Sequence, residues 1–429
     1  MKKTTLNLAI LAAMGSFGAQ ALAAGFIEDS TAKLELRNFY FNHDIRDSHS
    51  PTQDEWGQAF LLNVQSGYTQ GVVGFGADAT YTLGVKLDAK GARSIFPADT
   101  DGEAVDNFSR GGVTGKVKVS KTEARYGILT PKLPILWSND GRMLPQLFEG
   151  GQITSNEIDN LTLTGGQIEH VVGRMSSNFT GMAISGGTQE SNHLRFAGGD
   201  YKVTKDLTLQ YYFANLEDYY DQHFLGALHS LPLGPGVLKT DLRYFRTTSD
   251  GKNADRAAGY LASTNGSGND GELDNSTWSA KFTYALSGHA LTLGYQQVSD
   301  DSIFAQLNQG GLANEGAGGT STYVITDSLV QNFTYAGERT VIAGYAYDFA
   351  QLGVPGLNAS VTWLKGDQIK TAVGAEREEW ERDIVLSYVL QTGSLKGLGV
   401  AWRNGVLRSD VLGDIDHNRL TVSYTLPIW

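Results

Sequence analysis

The chain ends in an alternating pattern that few folds can accommodate. Over the last eleven residues, RLTVSYTLPIW, apolar side chains alternate with polar ones and the segment finishes at Trp429. Because successive side chains of a strand point to opposite faces, this segment has one apolar face and one polar face. A soluble enzyme rarely ends in this way, whereas an outer-membrane barrel often closes with such a strand and an aromatic residue at the lipid interface.

The amino-terminal end of the chain predicts export. Two lysines precede an apolar stretch over residues 6–17, and an Ala-Leu-Ala tripeptide follows at 21–23. These are the parts of a secretory signal peptide; the alternative, a transmembrane anchor, is disfavoured because the stretch is short and small residues follow it. We therefore expect a signal peptide over 1–24 and a mature domain over 25–429. No run of about 18 apolar residues occurs in the mature domain, so it is either a large exported soluble protein or a barrel.

Composition favours the barrel and excludes other classes of protein. Hydrophobic residues make up 41% of the chain, glycine occurs 52 times and the mean hydropathy is −0.23, as expected when strands face lipid on one side and water on the other. The absence of cysteine excludes disulfides and thiolate metal sites. A net charge of −12 disfavours nucleic-acid binding. We find no phosphate-binding loop or zinc-binding helix motif, and we predict no cofactor and no metal.

Alternating segments recur along the chain with turn-like punctuation between them. Clear examples are residues 207–213, 278–284, 341–349 and 384–390. Short turns such as 203–206 alternate with long polar stretches such as 299–321, which is the asymmetry of a membrane barrel. Allowing about 22 residues for each strand with its connections gives roughly 18 strands, with 16 as the alternative. The predicted fold is an all-β transmembrane antiparallel β-barrel, wide enough to contain an aqueous path.

Two stretches interrupt the alternation. Residues 130–152 contain Pro131, Pro134, Trp137 and the pair Leu144-Pro145, which is an apolar and rigid composition for a surface loop. Such a loop must pack somewhere, and we expect it to fold into the barrel and constrict the pore; an ordinary extracellular loop is the alternative. The stretch 96–107 is acidic, and a solvated loop is favoured there over a cation site.

Five arginines fall on the polar phase of predicted strands. They are Arg37, Arg125, Arg243, Arg403 and Arg419. Since a charge on the lipid face costs about 2–4 kcal/mol at mid-membrane, parity places them in the lumen. Their planar guanidinium groups suit carboxylates, and several such positions would let an anionic group pass from one to the next. Alternatively, the lumenal acids Glu35, Glu123, Asp241 and Glu381 pair with them and only stiffen the wall.

Several segments carry a family resemblance. They are GFIEDS at 25–30, LRNFYFN at 36–42, NDGRMLPQ at 139–146, TDLRYF at 240–245, GYQQVS at 294–299 and YVLQTG at 388–393. Over essentially the whole mature chain, the sequence resembles the OprD family of substrate-specific outer-membrane porins. The resemblance implies an 18-stranded monomeric barrel with a narrow eyelet, a row of basic residues on one wall and an electronegative pocket opposite. It also implies small, water-soluble, carboxylate-bearing substrates, either aromatic carboxylates or amino acids.

The resemblance extends to individual residues. Arg37, Arg125, Arg403 and Arg419 match positions of the basic wall, and Arg382 and Arg408 are further candidates for it. Asn139, Asp140 and Arg142 would belong to the constriction loop, and Ser299 and Asp300 to the pocket. At the pocket the chain has Asp300-Asp301 where the family pattern suggests a sequence that contains glycine.

The predicted function is passive uptake of small carboxylate-bearing solutes through the outer membrane of a Gram-negative bacterium, without catalysis. A barrel hydrolase is the alternative, based on the pairs Asp416-His417 and His43-Asp44 at the rim, and an adhesin or purely structural barrel is a third. The expected partners are these solutes, outer-membrane lipid and lipopolysaccharide, and the barrel-assembly machinery, which would recognise Trp429. We expect a monomer or a weak oligomer.

Overall fold

Eighteen strands form one antiparallel sheet that closes on itself in the computed structural model, which describes residues 25–46, 52–90, 94–264, 269–311, 319–372, 374 and 376–429. In chain order the strands are β1 (Thr31–Ile45), β2 (Gln53–Gln65), β3 (Val73–Lys90), β4 (Asn107–Val119), β5 (Thr122–Leu129), β6 (Leu147–Ser155), β7 (Leu161–Val172), β8 (Leu194–Lys202), β9 (Leu207–Leu216), β10 (Tyr220–Leu233), β11 (Gly236–Ser249), β12 (Asp274–Leu286), β13 (His289–Val298), β14 (Arg339–Asp348), β15 (Leu357–Ile369), β16 (Arg377–Val389), β17 (Gly399–Ser409) and β18 (Ile415–Pro427).

The barrel closes because β1 pairs with β18 as well as with β2. Arg37, for example, lies opposite Ala59 of β2 and opposite Ser423 of β18. The predicted antiparallel barrel of 18 strands is therefore confirmed. The predicted signal peptide over 1–24 lies outside the described residues and stays a prediction.

Period-two alternation sorts the side chains of each strand between two faces. In β16 the outward-pointing Leu386 is 44% exposed, whereas Glu381 on the opposite face is fully buried. The outward face also carries large aromatic side chains, which lie in the zone where a barrel meets lipid headgroups. They include Tyr81, Tyr126, Trp278, Trp363 and Trp402. The apolar outer face is therefore the one suited to lipid.

Connections of different length gather at opposite ends of the barrel. Short turns such as 120–121, 234–235 and 287–288 lie at the end that also holds the start of β1 and the end of β18, and the long connections lie at the other end. Among the described residues, a short α-helix, Gly251–Ala254, and a 3-10 helix, Phe349–Leu352, occur in connections. Over the ranges described, no helix is long and apolar enough to cross a membrane.

Three long connections fold into the barrel. We name them loop A (130–146), loop B (173–193) and loop C (299–311 and 319–338). Short strands link them: Lys132–Leu133 pairs with Leu136–Trp137 within loop A, and Met182–Ile184 of loop B pairs with Leu307–Gln309 of loop C. Apolar loop residues pack on the lumenal faces of β8 to β11 in one buried cluster. Its members include Leu136, Met182, Phe196, Tyr212, Phe224, Phe245, Phe304 and Leu307. The predicted inward constriction loops are confirmed.

Trp429, which follows β18, contacts the start of β1 at the closing seam. Its Nε1 donates to Ser30 Oγ at 3.1 Å, and its carbonyl accepts from the Ala32 amide at 3.3 Å. We expect deletion of Trp429 to lower the yield of assembled barrel, because the seam loses these contacts and an interfacial aromatic ring. Heat-modifiable mobility in outer-membrane fractions measures this yield. The control is Trp429→Phe, which retains an aromatic ring; an unchanged yield after deletion would contradict the expectation.

Candidate functional site

Residues 139–146 of loop A form a turn that Arg37 of β1 fastens to the barrel wall. Arg37 Nη1 donates to Asp140 Oδ1 at 2.7 Å and to the Arg142 carbonyl at 3.1 Å. Its Nε donates to Glu35 Oε1 at 2.8 Å. Because two carboxylates already neutralise this guanidinium, Arg37 serves mainly to hold the loop.

Two further wall arginines bind main-chain carbonyls of the inward loops. Arg110 of β4 donates to the Pro145 carbonyl of loop A at 2.8 Å. Arg419 of β18 joins two loops, since it donates to the Gly141 carbonyl of loop A at 3.2 Å and to the Leu329 carbonyl of loop C at 2.5 Å. Within the described ranges neither arginine makes an ion pair, so both bring positive charge to the constriction without direct contact with a carboxylate.

Loop C is held by carboxylates of the wall in addition to guanidinium groups. Glu381 of β16 accepts from the amides of Val330 and Gln331 at 2.9 and 3.0 Å. Asp383 accepts from the Leu329 amide at 3.1 Å. Wall arginines therefore bind loop carbonyls, and wall acids bind loop amides.

Arg419 is oriented by a pair of histidines, which lie in β1 and β18. Its Nε donates to His417 Nε2 at 2.5 Å, which makes that nitrogen the unprotonated one. His417 Nδ1 lies 3.2 Å from His43 Nδ1. Asp44 and Asp416, the acids considered as catalytic partners, follow or precede these histidines in their strands and therefore point to the opposite face. The adjacent Asp-His pairs do not form catalytic dyads.

In addition to Arg110, four guanidinium groups near the turn make no ion pair in the part of the chain that the structure describes. They belong to Arg142, Arg174, Arg403 and Arg419. The Arg142 guanidinium lies 4.4 Å above the Phe41 ring, and Arg174 of loop B donates to Asn139 Oδ1 at 3.2 Å. Arg403 lies directly opposite Arg419 in the register of β17 and β18.

These like charges disfavour one another. Burial, together with Arg419 and Arg174, lowers the pKa of Arg142 well below its usual value. Burial lowers the pKa of Arg174 to about 10, against the opposing attraction of Asp327. A confined group of cations of this kind favours a bound anion.

One carboxylate of loop C lies close enough to oppose the arginines. Asp327 lines a cavity of ≈ 290 Å³ together with Thr283, Ser360 and Asp383. Loss of solvent raises the pKa of Asp327 to about 6, while Arg174 and Arg419 act in the opposite direction. The lumen therefore carries both signs of charge near the turn.

Besides Arg37, two of the predicted basic positions are paired with acids. Arg243 binds Asp241 through two hydrogen bonds of 2.8 and 2.6 Å and donates to the Tyr323 carbonyl at 2.7 Å. Arg125 pairs with Glu123 and lines a cavity of ≈ 640 Å³ near the turn end of the barrel. Like Arg37, each pairs with an acid two residues earlier, which lies on the same face of its strand. The pairing alternative therefore describes these three arginines, but neither Arg403 nor Arg419.

In contrast to the expectation, Arg382 and Arg408 lie on the outward face. Arg382 of β16 lies opposite the outward-facing Trp363 and donates to Asn404 Oδ1 at 2.8 Å. Arg408 of β17 shares the parity of the exposed Trp402 and pairs with Asp416 at 2.9 Å. Near the rim, charged side chains occur on both faces because lipid tails no longer contact the outer one. These two arginines do not line the lumen.

The residues expected to form the pocket lie at the rim. Asp300 Oδ2 is 3.1 Å from Lys370 Nζ, and Ser299 exchanges hydrogen bonds with Ser276 at the ends of β12 and β13. The acids that act on Arg419 include Asp327 of loop C and Glu381 and Asp383 of the wall. In the acidic stretch 96–107, Asp106 pairs with Lys86 at 2.9 Å. No group of three potential metal ligands is found among the described residues.

Sequence reasoning missed Arg110, Arg174 and Asp327. Arg110 falls on the polar phase of an alternating segment, and that signal was available. The other two lie in loops B and C, where no periodic pattern constrains the direction of a side chain.

Comparison with known proteins gives consistent results. The profile described as outer membrane porin, OprD family, matches residues 24–428. The porin-like protein GalP of Pseudomonas putida is 37% identical over 417 residues, which cover 95% of each chain. The crystal structure of Pseudomonas aeruginosa OccK8 (OprE) has 52% identity and a TM-score of 0.88, covering 95% of this chain and 100% of that one. That of Pseudomonas aeruginosa OpdK with vanillate has 35% identity and a TM-score of 0.85, covering 94% and 100%.

Proposed function

Because the chain belongs to the OprD family of outer-membrane porins, we propose that its channel selects small, water-soluble solutes that carry a carboxylate group. A porin of the outer membrane needs no catalytic residues, only a path whose chemistry favours some solutes over others. The observation that carries the proposal is the group of guanidiniums without ion pairs beside the turn at 139–146.

The guanidinium groups suit carboxylates in geometry as well as in charge. Their donors lie in a plane and form two parallel hydrogen bonds to one carboxylate. Arg142 lies in the turn, close to Arg174 and Arg419, and Arg403 lies opposite Arg419 on the neighbouring strand. The carboxylate of a solute would move from one guanidinium to the next while it remains close to positive charge. No single binding site would therefore trap the solute. The related OpdK structure contains vanillate, which carries a carboxylate.

Arg403→Glu tests the proposal in a planar bilayer. We expect the reversal potential in a salt gradient to shift towards cation selectivity, because the substitution reverses a lumenal charge that no acid compensates. Block of the current by benzoate should weaken as well. Titration with arginine would show whether a solute that also carries positive charge is accepted.

The matched control is Arg339→Glu, which makes the same charge change on the outward face at the end of β14. It should leave the reversal potential unchanged. Equal reversal potentials for Arg403→Glu and the unmodified channel would contradict the proposal.

A further inference from the structure

Two guanidinium groups flank Gly141 at the tip of the turn. A Cβ atom at this position would lie 3.6 Å from Arg174 Nη1 and 3.7 Å from Arg419 Nη1. The two groups are therefore separated by no more than the sum of these distances. Asn139 Oδ1 lies 3.1 Å from the same Cβ position and accepts from Arg174 Nη1 at 3.2 Å, so the two guanidinium groups and this amide oxygen approach one another only because residue 141 has no side chain.

The guanidinium groups on either side of this space make no ion pair within the described ranges, although Asp327 attracts both of them. The nearest acid of loop A, Asp140, is already bound to Arg37. Arg142 adds a third guanidinium from the turn itself, and in the described part of the chain it makes no ion pair. A solute with one carboxylate would neutralise one of these groups and leave the others facing each other at short range, where like charges repel in a confined, poorly solvated space.

We infer that the preferred solutes carry two carboxylates a few bonds apart, with one bound by Arg174 and the other by Arg419. This inference rests on the proposed function and specifies its substrate class. Joining the two anionic groups in one molecule makes the second contact intramolecular, which two separate monoanions cannot match. A zwitterion would bring its cationic end towards the same guanidiniums, and Asp327 offers only one carboxylate to receive it.

Three solutes that share one carboxylate and a three-methylene chain test the inference. Glutarate ends in a second carboxylate, pentanoate in a methyl group and 4-aminobutanoate in an ammonium group. Current block is titrated with each at pH 7, where both carboxyl groups of glutarate are ionised because carboxyl pKa values lie near 4. We expect glutarate to reach half-maximal block at a concentration at least tenfold below that of pentanoate, and 4-aminobutanoate to be the weakest.

Two variants locate the effect. Arg174→Gln removes one guanidinium, and glutarate should then block no better than pentanoate, whereas block by pentanoate should change less than threefold. Gly141→Ala keeps every charge but places a methyl group between the two guanidiniums, so it should also reduce the glutarate preference. Arg256→Gln is the matched control, because this arginine lies in an outer loop and pairs with Glu272 at 2.7 Å.

The outcomes separate the inference from the proposed function. Equal block by glutarate and pentanoate in the unmodified channel would overturn the dicarboxylate preference and leave carboxylate selectivity intact. An unchanged ratio in both Arg174→Gln and Gly141→Ala would overturn the assignment of the site. If neither solute blocks and the reversal potential shows no preference for anions, the proposed function itself fails. Should Arg174→Gln not fold, Gly141→Ala and the unmodified channel still decide the question.

Discussion

Replacing residues 140–145 with a Gly-Ser linker should raise the single-channel conductance several-fold. The turn that these residues form is held across the lumen by Arg37, Arg110 and Arg419. Its ends are already joined, since the Gln146 amide donates to the Asn139 carbonyl at 2.8 Å. The linker should therefore close the hairpin without strain while the obstructing segment is removed.

Single-channel recording in concentrated potassium chloride measures the effect. High salt screens the wall charges, so the conductance then reports the width of the path. The control places Gly-Ser at 204–205, in a short turn at the opposite end of the barrel. If the two variants conduct equally, the turn of loop A does not limit the current.

Glu381→Ala should release loop C from the wall. The Glu381 carboxylate is fully buried and accepts from the amides of Val330 and Gln331. Without it two amides lose their acceptor, at a cost of about 1–3 kcal/mol each. The sum, roughly 2–6 kcal/mol, is comparable to the whole stability of many domains, so we expect local undocking of the loop.

Hydrogen exchange at residues 328–335 and the frequency of current transitions both report this undocking. We expect faster exchange at the amides of Val330 and Gln331 and more frequent transitions between conductance levels. Glu378→Ala is the matched control, since this glutamate lies on the outward face of the same strand and pairs with Lys365 at 3.0 Å. Unchanged protection of the two amides in Glu381→Ala would show that loop C is held by other contacts.

Much of the barrel was predictable because strand parity is a local property. The alternation that ends at Trp429 predicted the closing strand, and the parity of Arg37, Arg403 and Arg419 placed them on the inward face. For Arg382 the resemblance suggested the basic wall, whereas parity indicates the outward face, because Trp380 and Ile384 of the same phase are apolar.

Other features depend on contacts between distant parts of the chain. Whether a lumenal arginine is neutralised depends on the loops that meet it, and parity does not report this. Arg174 and Asp327 reach the constriction only because loop B pairs with loop C, where Met182 lies opposite Gln309. No pattern within either loop predicts that pairing.

Polar side chains of the barrel wall bind the inward loops mostly through main-chain atoms of the loops. Arg110 and Arg419 bind carbonyls, and Glu381 and Asp383 bind amides, so these contacts form whatever side chains the loops carry, as long as the backbone follows the same course. Position and chemistry are thus encoded in different segments of the chain. The barrel strands and the buried apolar side chains of the loops fix where the obstruction lies, and polar loop side chains that make none of these contacts can be exchanged to admit a different solute without loosening it.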